Sequence, residues 1–186
     1  NEFRKLVEEI AMLEGFEAMG DLELEDVEIE TPICPYTGYE LAKKVVIVPI
    51  LRAGLGMVNG IQDLIPTAKI AHVGMYRDEE TLKPIEYYCK LPDNKDGVTI
   101  VVDPMLATGK SLVITYRELL KQGSLPAHTH IASVIASRQG VEYVEKELAG
   151  EPLTLWTAAL DEALTDKFYI DPGLGDAGDL AFGDKK

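Results

Sequence analysis

The sequence predicts an α/β fold, a parallel twisted sheet flanked by helices with a small hood or hairpin excursion. Three observations carry that expectation. From about residue 45 onward, short β-branched runs alternate with stretches of helical spacing, the pattern of right-handed βαβ units. The runs are continuously apolar, as strands covered on both faces must be. Finally, 186 residues with 46% hydrophobic content can bury one substantial core, so a single domain over 1–186 is expected.

Each element follows in turn. Phe3, Leu6, Val7, Ile10 and Leu13 recur at helical spacing between charged residues, and Gly15 is expected to end that helix. Segment 22–30 alternates Leu22, Leu24, Val27 and Ile29 with carboxylates and slips phase at Asp26, which predicts a half-exposed strand with a bulge. Strand 45–48 precedes helix 54–64. Strand 70–73 leads into segment 76–91, expected to be a mobile loop or hairpin. Strand Val98–Val102 precedes helix 111–121, strand 131–135 precedes helix 141–148, and a last strand covers 153–158. After Tyr169 the chain turns polar and rich in Gly and Asp.

Composition narrows the function. With 18 basic and 32 acidic side chains the net charge is -14, a field that repels nucleic acid and anionic membranes. The longest apolar run, 45–51, has seven residues, far below the ~20 that span a bilayer. With a charged, amphipathic start, the expectation is a cytoplasmic protein without membrane or nucleic-acid partners. Cys34 and Cys89 lack metal or disulfide spacing and are expected to be buried or half-buried free thiols. His72, His128 and His130 are expected to be structural or surface residues, not metal ligands; the last two would share a strand face, but no third ligand is evident.

In doubly wound sheets ligands sit beyond the carboxyl ends of the strands, so the residues following each strand deserve scrutiny. After Val98–Val102 come Asp103, Pro104, Met105, Leu106, Ala107, Thr108, Gly109, Lys110 and Ser111, then a helix. A carboxylate at a strand end can hold sugar hydroxyls, and a turn opening onto a helix N-terminus can hold a phosphate. The same segment could equally be an ordinary turn capped by Thr108 or Ser111. A P-loop is disfavoured because its first glycine falls on Pro104, which has no amide to donate.

A second candidate, 49–57, leaves a buried strand with Arg52 beside Gly54 and Gly56; Arg52 could clamp pyrophosphate oxygens in a bidentate way. A third is Arg77 on the excursion, with Lys83 a weaker companion. The fourth, 169–179, contains Gly173, Gly175 and Gly178 at G-x-G-x-x-G spacing, but only eight residues follow Gly178, too few to complete a dinucleotide fold. Its backbone could instead read the edge of a small planar ligand, with Asp176 as a fixed charge.

Segment 101–111, with its Asp-Pro-Met-Leu-Ala-Thr-Gly core, resembles the 5-phosphoribosyl-1-pyrophosphate (PRPP) loop of the uracil phosphoribosyltransferases, and segments 49–57, 76–84 and 169–179 resemble that family's other substrate loops in the right order. The resemblance implies a phosphoribosyltransferase-like fold that joins uracil to PRPP, giving UMP and pyrophosphate. It assigns PRPP to Arg52, Arg77, residues 103–111 and Asp176, and uracil to Ile170, Gly175, Asp176 and Ala177 within segment 159–183. Arg77 and Asp176 are the implied catalytic residues. Mg²⁺ would be held mainly through PRPP and water, with no direct protein ligand set. A homodimer or homotetramer and a GTP effector are further implications. Lys110 stands where the family commonly has Gly, Asp171 where it has an apolar residue, and Ser137-Arg138-Gln139-Gly140 where it often has Ala-Pro-Glu-Gly. A pyrimidine-sensing RNA-binding regulator and a uridine kinase are the competing readings, opposed respectively by the acidic charge and by Pro104.

Overall fold

A computed structural model describes residues 1–77, 84–90 and 92–183, with backbone alone for 73–77 and 84–90. Helix α1 (Glu2–Met19) is capped by the Asn1 side chain, which accepts the Phe3 amide at 3.0 Å. It runs through Gly15 instead of stopping there. The reason is packing: a Cβ at Gly15 would sit 3.2 Å from both Ile61 and Leu64, and one at Gly60 would strike the Glu8 carbonyl at 2.2 Å. The two glycines let α1 lie close on helix α2.

β1 (Leu24–Glu30) and β2 (Pro35–Leu41) form an exposed antiparallel hairpin in unbroken register from Leu24↔Leu41 to Glu30↔Pro35. The bulge expected at Asp26 is absent, because both faces of this hairpin are largely solvated and no core enforces the alternation. Cys34, expected to be at least half-buried, is exposed in its turn.

The doubly wound part follows: β3 (Val45–Pro49), α2 (Leu55–Leu64), β4 (Lys69–Ile70), β5 (His72–Arg77), β6 (Pro84–Lys90), β7 (Val98–Val102), β8 (Met105–Leu106), α3 (Lys110–Lys121), β9 (His128–Ser137), α4 (Arg138–Glu147) and β10 (Leu153–Asp161). The expected strand at 70–73 is split, its first part ending in β4 and its remainder starting β5, which leaves the sheet to pair antiparallel with β6. That pairing is the expected hairpin; residues 78–83, including Lys83, lie outside the described residues.

The central sheet has the order β10-β9-β7-β3-β4, with β8 alongside β9, and all its pairs are parallel. Alternate side chains explain its two cores. Val45, Ile47, Ile100 and Val102 face Val7, Ala11, Met57 and Ile61 of α1 and α2. Val46, Val48, Val101 and Ile131 face Leu112, Tyr116, Leu119 and Val144 of α3 and α4. Strands apolar on both faces are thus the sequence counterpart of a sheet covered on both sides. The chain closes with β11 (Ala163–Leu164), β12 (Ile170–Asp171) and α5 (Ala177–Phe182).

Candidate active site

β7 ends at Val102, and Asp103 follows at the carboxyl edge of the sheet. Its Oδ1 accepts the Met105 amide at 3.3 Å. Although its surface is only partly covered, the carboxyl lies deep enough that burial raises its pKa from 3.8 to about 7, with the Met105 amide opposing the shift. Residues 103–109 then wrap a small cavity of about 70 Å³ lined by Asp103, Ala107, Thr108, Gly109 and Ser111. Gly109 is the N-cap of α3 with φ +71°, and no side chain caps the helix there. Neither Thr108 nor Ser111 therefore plays the conventional capping part, beyond a long 3.5 Å contact from the Lys110 amide to Thr108 Oγ1. Amides at the positive end of a helix dipole, opening into a small cup, are suited to bind an anion. The Lys110 side chain is exposed.

What holds this loop comes from β9 and α4. Ser133 Oγ donates to the Asp103 carbonyl, and Ser137 Oγ donates to the Ala107 carbonyl. Gly140 packs so closely that a Cβ there would lie 2.3 Å from the Ala107 oxygen and 2.9 Å from that of Leu106. Sequence reading singled out none of these three for a role. The available signal was the pair of serines inside the apolar run 131–137, since a buried hydroxyl must find a partner.

The loop after β3 lies beside the first. The Ile50 amide donates to the Val102 carbonyl at 2.9 Å, and a Cβ on Gly54 would approach that same oxygen to 2.4 Å. Arg52 therefore projects near Asp103's end of the sheet. Its guanidinium pairs with Asp179 of α5 at 2.9 Å, both groups being partly exposed. Gly178 lies near Ala53 and Arg52, which brings the C-terminal segment against this loop.

In that segment Ile170 and Ala177 are buried, and Gly175 adopts φ +81° in open space. Asp176 is the N-cap of α5, its Oδ1 accepting the Asp179 amide at 2.9 Å. Three of the four segments singled out in the sequence thus meet at the carboxyl end of the sheet. Arg77 ends β5, where only backbone is described, and its backbone pairs with Pro84.

The histidines lie elsewhere. His128 begins β9, its ring 4.8 Å from that of His130, and Trp156 Nε1 donates to His130 Nδ1 at 3.1 Å. Burial, reinforced by His128, lowers the pKa of His130. Among the described residues no three His, Cys, Asp or Glu side chains gather as a metal site, and no helix is long and apolar enough to cross a membrane.

Comparison with known proteins agrees with this geometry. The family described as uracil phosphoribosyltransferase matches residues 1–184. A uracil phosphoribosyltransferase of Streptococcus sanguinis is 53% identical over 185 residues, covering 98% of this chain and 87% of the relative. One from Agathobacter rectalis is 54% identical over 186 residues, covering 99% and 87%. A solved Aquifex aeolicus structure superposes with TM-score 0.88 at 37% identity, over 97% of this chain and 85% of that one. A Staphylococcus aureus hypoxanthine phosphoribosyltransferase superposes at TM-score 0.54 and 11% identity over 87% of this chain and 76% of its own, a likeness of fold alone. The doubly wound sheet, the loops gathered at its carboxyl edge and the match along almost the whole length make this chain a member of the uracil phosphoribosyltransferase family.

Proposed function

We infer that the chain transfers the phosphoribosyl group of PRPP to uracil, releasing pyrophosphate and forming UMP, the reaction for which its family is named. The observation that supports the assignment of roles is the small cup of 103–111 beside the Arg52 loop, with the C-terminal segment packed against that loop through the Arg52–Asp179 pair. In this reading the amides of 108–111 hold the 5′-phosphate and Asp103 accepts from the ribose hydroxyls. Arg52 and Arg77 hold pyrophosphate, Arg52 exchanging Asp179 for it. Backbone at Ile170, Gly175 and Ala177 reads the uracil edge. The nitrogen N1 of uracil forms its bond to the anomeric carbon as the bond to pyrophosphate breaks, the N1 proton leaving to solvent or a nearby base. Positioning and charge neutralisation supply most of the acceleration.

Mg²⁺ would be carried mainly on substrate oxygens and water, with the Asp103 carboxylate at the end of β7 nearby. When bound it neutralises pyrophosphate charge. Residues 1–186 are read as one domain with 76–91 as its excursion and 159–183 as its base-binding segment. The reading includes a cytoplasmic homodimer or homotetramer with GTP as candidate effector. Sedimentation at two concentrations, with and without GTP, tests those assembly properties.

The primary experiment measures PRPP-dependent nucleotide formation with uracil, cytosine and hypoxanthine in parallel. Uracil is expected to be strongly preferred, since each mismatched buried polar group costs about 1–3 kcal/mol. Comparable turnover of cytosine or hypoxanthine would sink the reading.

Two variants probe individual roles. Asp176→Asn keeps an oxygen to cap α5 and removes one charge, so the melting temperature should hold while kcat/KM falls about tenfold or more, ~1.4 kcal/mol. Unchanged kinetics would take Asp176 out of the site. Lys110→Gly removes an exposed side chain but keeps the amide, so activity should persist with the KM for PRPP raised at most about tenfold and a weaker salt dependence. A P-loop lysine behaves differently, its loss nearly abolishing turnover, and that result would mean the loop works by another chemistry.

A further inference from the structure

Ser137 and Asp161 are partners across the last rung of the parallel pair β9/β10. Each reaches from that rung to a different substrate loop. Ser137 is fully buried; its single hydroxyl donates to the Ala107 carbonyl and accepts the Gly140 amide at 2.9 Å. It therefore ties the middle of the 103–111 loop to the first turn of α4. Asp161 Oδ2 accepts the Gly173 amide at 3.2 Å, holding the turn that precedes Gly175 and Asp176. Just past that rung, Arg138 and Glu162 close a two-bonded pair at 2.6 Å in each arm, an exposed contact that adds alignment more than stability.

We propose that Ser137 and Asp161 are positioning residues that set the PRPP loop and the uracil loop at a fixed separation from a common rung of the sheet. The proposal rests on the loop assignments made above. The chemistry is that of three buried or half-buried backbone groups, the Ala107 carbonyl and the Gly140 and Gly173 amides, each bonded to one of these two side chains. Without Ser137 Oγ, the Ala107 carbonyl and the Gly140 amide lose their shared hydroxyl, and the turn that shapes the anion cup is free to shift. Without Asp161, the Gly173 amide loses its acceptor and the base-reading backbone shifts instead. Neither residue touches a reacting atom. Each should act on the affinity for one substrate, because each holds one loop.

That separation is the readout. In the full-length protein, Ser137→Ala is expected to raise the KM for PRPP about tenfold while the KM for uracil and kcat stay within about twofold. Ser137→Thr, which retains a hydroxyl, should recover most of the loss. Asp161→Leu should raise the KM for uracil about tenfold with little change for PRPP, and Asp161→Asn, which keeps an acceptor oxygen, should recover much of it. A general loss of structure moves both KM values and kcat together, and that outcome in folded variants overturns the proposal. So does an unchanged KM for PRPP in Ser137→Ala. If Ser137→Ala does not fold, Ser137→Cys, with its weaker donor, must still weaken PRPP selectively or the idea fails. Asp103→Asn, run alongside, separates the two levels of inference. Loss of PRPP affinity there with none in Ser137→Ala condemns only the bracket, whereas no effect in either condemns the loop assignment.

Discussion

Gly140→Ala is expected to reduce kcat/KM for PRPP by about a hundredfold, or ~2.7 kcal/mol, and to destabilise the fold by about 1–3 kcal/mol. The added methyl would stand 2.3 Å from the Ala107 oxygen and 3.1 Å from its carbonyl carbon. Those are backbone atoms, with no side-chain end to swing aside, so the 103–111 loop or the start of α4 must move. Because that loop lines the cavity proposed for the phosphate, the displacement should fall on substrate binding. Gly150→Ala is the matching control. Its φ is +90°, so a side chain is strained there too, but nothing lies within 4 Å. It should lower thermal stability and leave kinetics alone. If both variants lose stability and neither loses PRPP affinity, the close approach of Gly140 has no bearing on the site.

Asp103→Asn should cost a comparable amount, and the pH profile makes it diagnostic. Burial lifts the Asp103 carboxyl to a pKa of about 7, so the free protein holds a proton there between about pH 4 and 7 that the unfolded chain has released. Stability contributed by this group therefore falls as pH rises through that window. Binding runs the other way, because ribose hydroxyls donate best to the ionised carboxylate. The kcat/KM for PRPP is expected to climb with pH up to about 7 and then level. In Asp103→Asn the plateau above about pH 7 should drop about a hundredfold and the limb should vanish, the two proteins converging at low pH; a wild-type profile in the variant would remove Asp103 from ribose binding.

Glu14 supplies the complementary case. It is buried on α1 with neither carboxylate oxygen in a hydrogen bond, and burial raises its pKa to about 7, the nearby Ala158 backbone opposing. Glu14→Gln should flatten the pH dependence of stability while the kinetic limb remains.

The doubly wound part was legible because both of its signals are local. Continuous apolar runs mark strands covered on two faces, and Asp103 through Ser111 follow such a run as turn residues leading into a helix. The glycines of 49–57 and 169–179 marked turns, but the family resemblance is what singled out Arg52 and the 169–179 segment. The hairpin β1–β2 was half seen, since its second strand, Pro35–Leu41, has only weak alternation and little burial to enforce any pattern. Gly15 was misread because a glycine within a helix can mark either an end or a close crossing. The crossing here depends on Ile61 and Leu64, some four dozen residues away. Ser133, Ser137 and Gly140 escaped for the same reason. Their importance lies in what they touch across the sheet, and no periodicity in the chain records it. The salt bridge from Arg52 to Asp179 spans 127 positions and was equally invisible.

The contact between Gly109 and Gly140 bears on the thermodynamics of substrate capture. A Cβ on Gly109 would lie 2.8 Å from the Gly140 carbonyl, so two stretches of main chain meet with no side chain between them. Backbone wedged in this way has already surrendered its freedom during folding, at roughly 1–2 kcal/mol per residue. In the proposed binding mode the phosphate would arrive at amides that need not be ordered again, and a larger share of its interaction energy would remain as affinity. Capture at this end of PRPP should consequently look like docking onto a rigid surface, with a small entropy penalty from the protein.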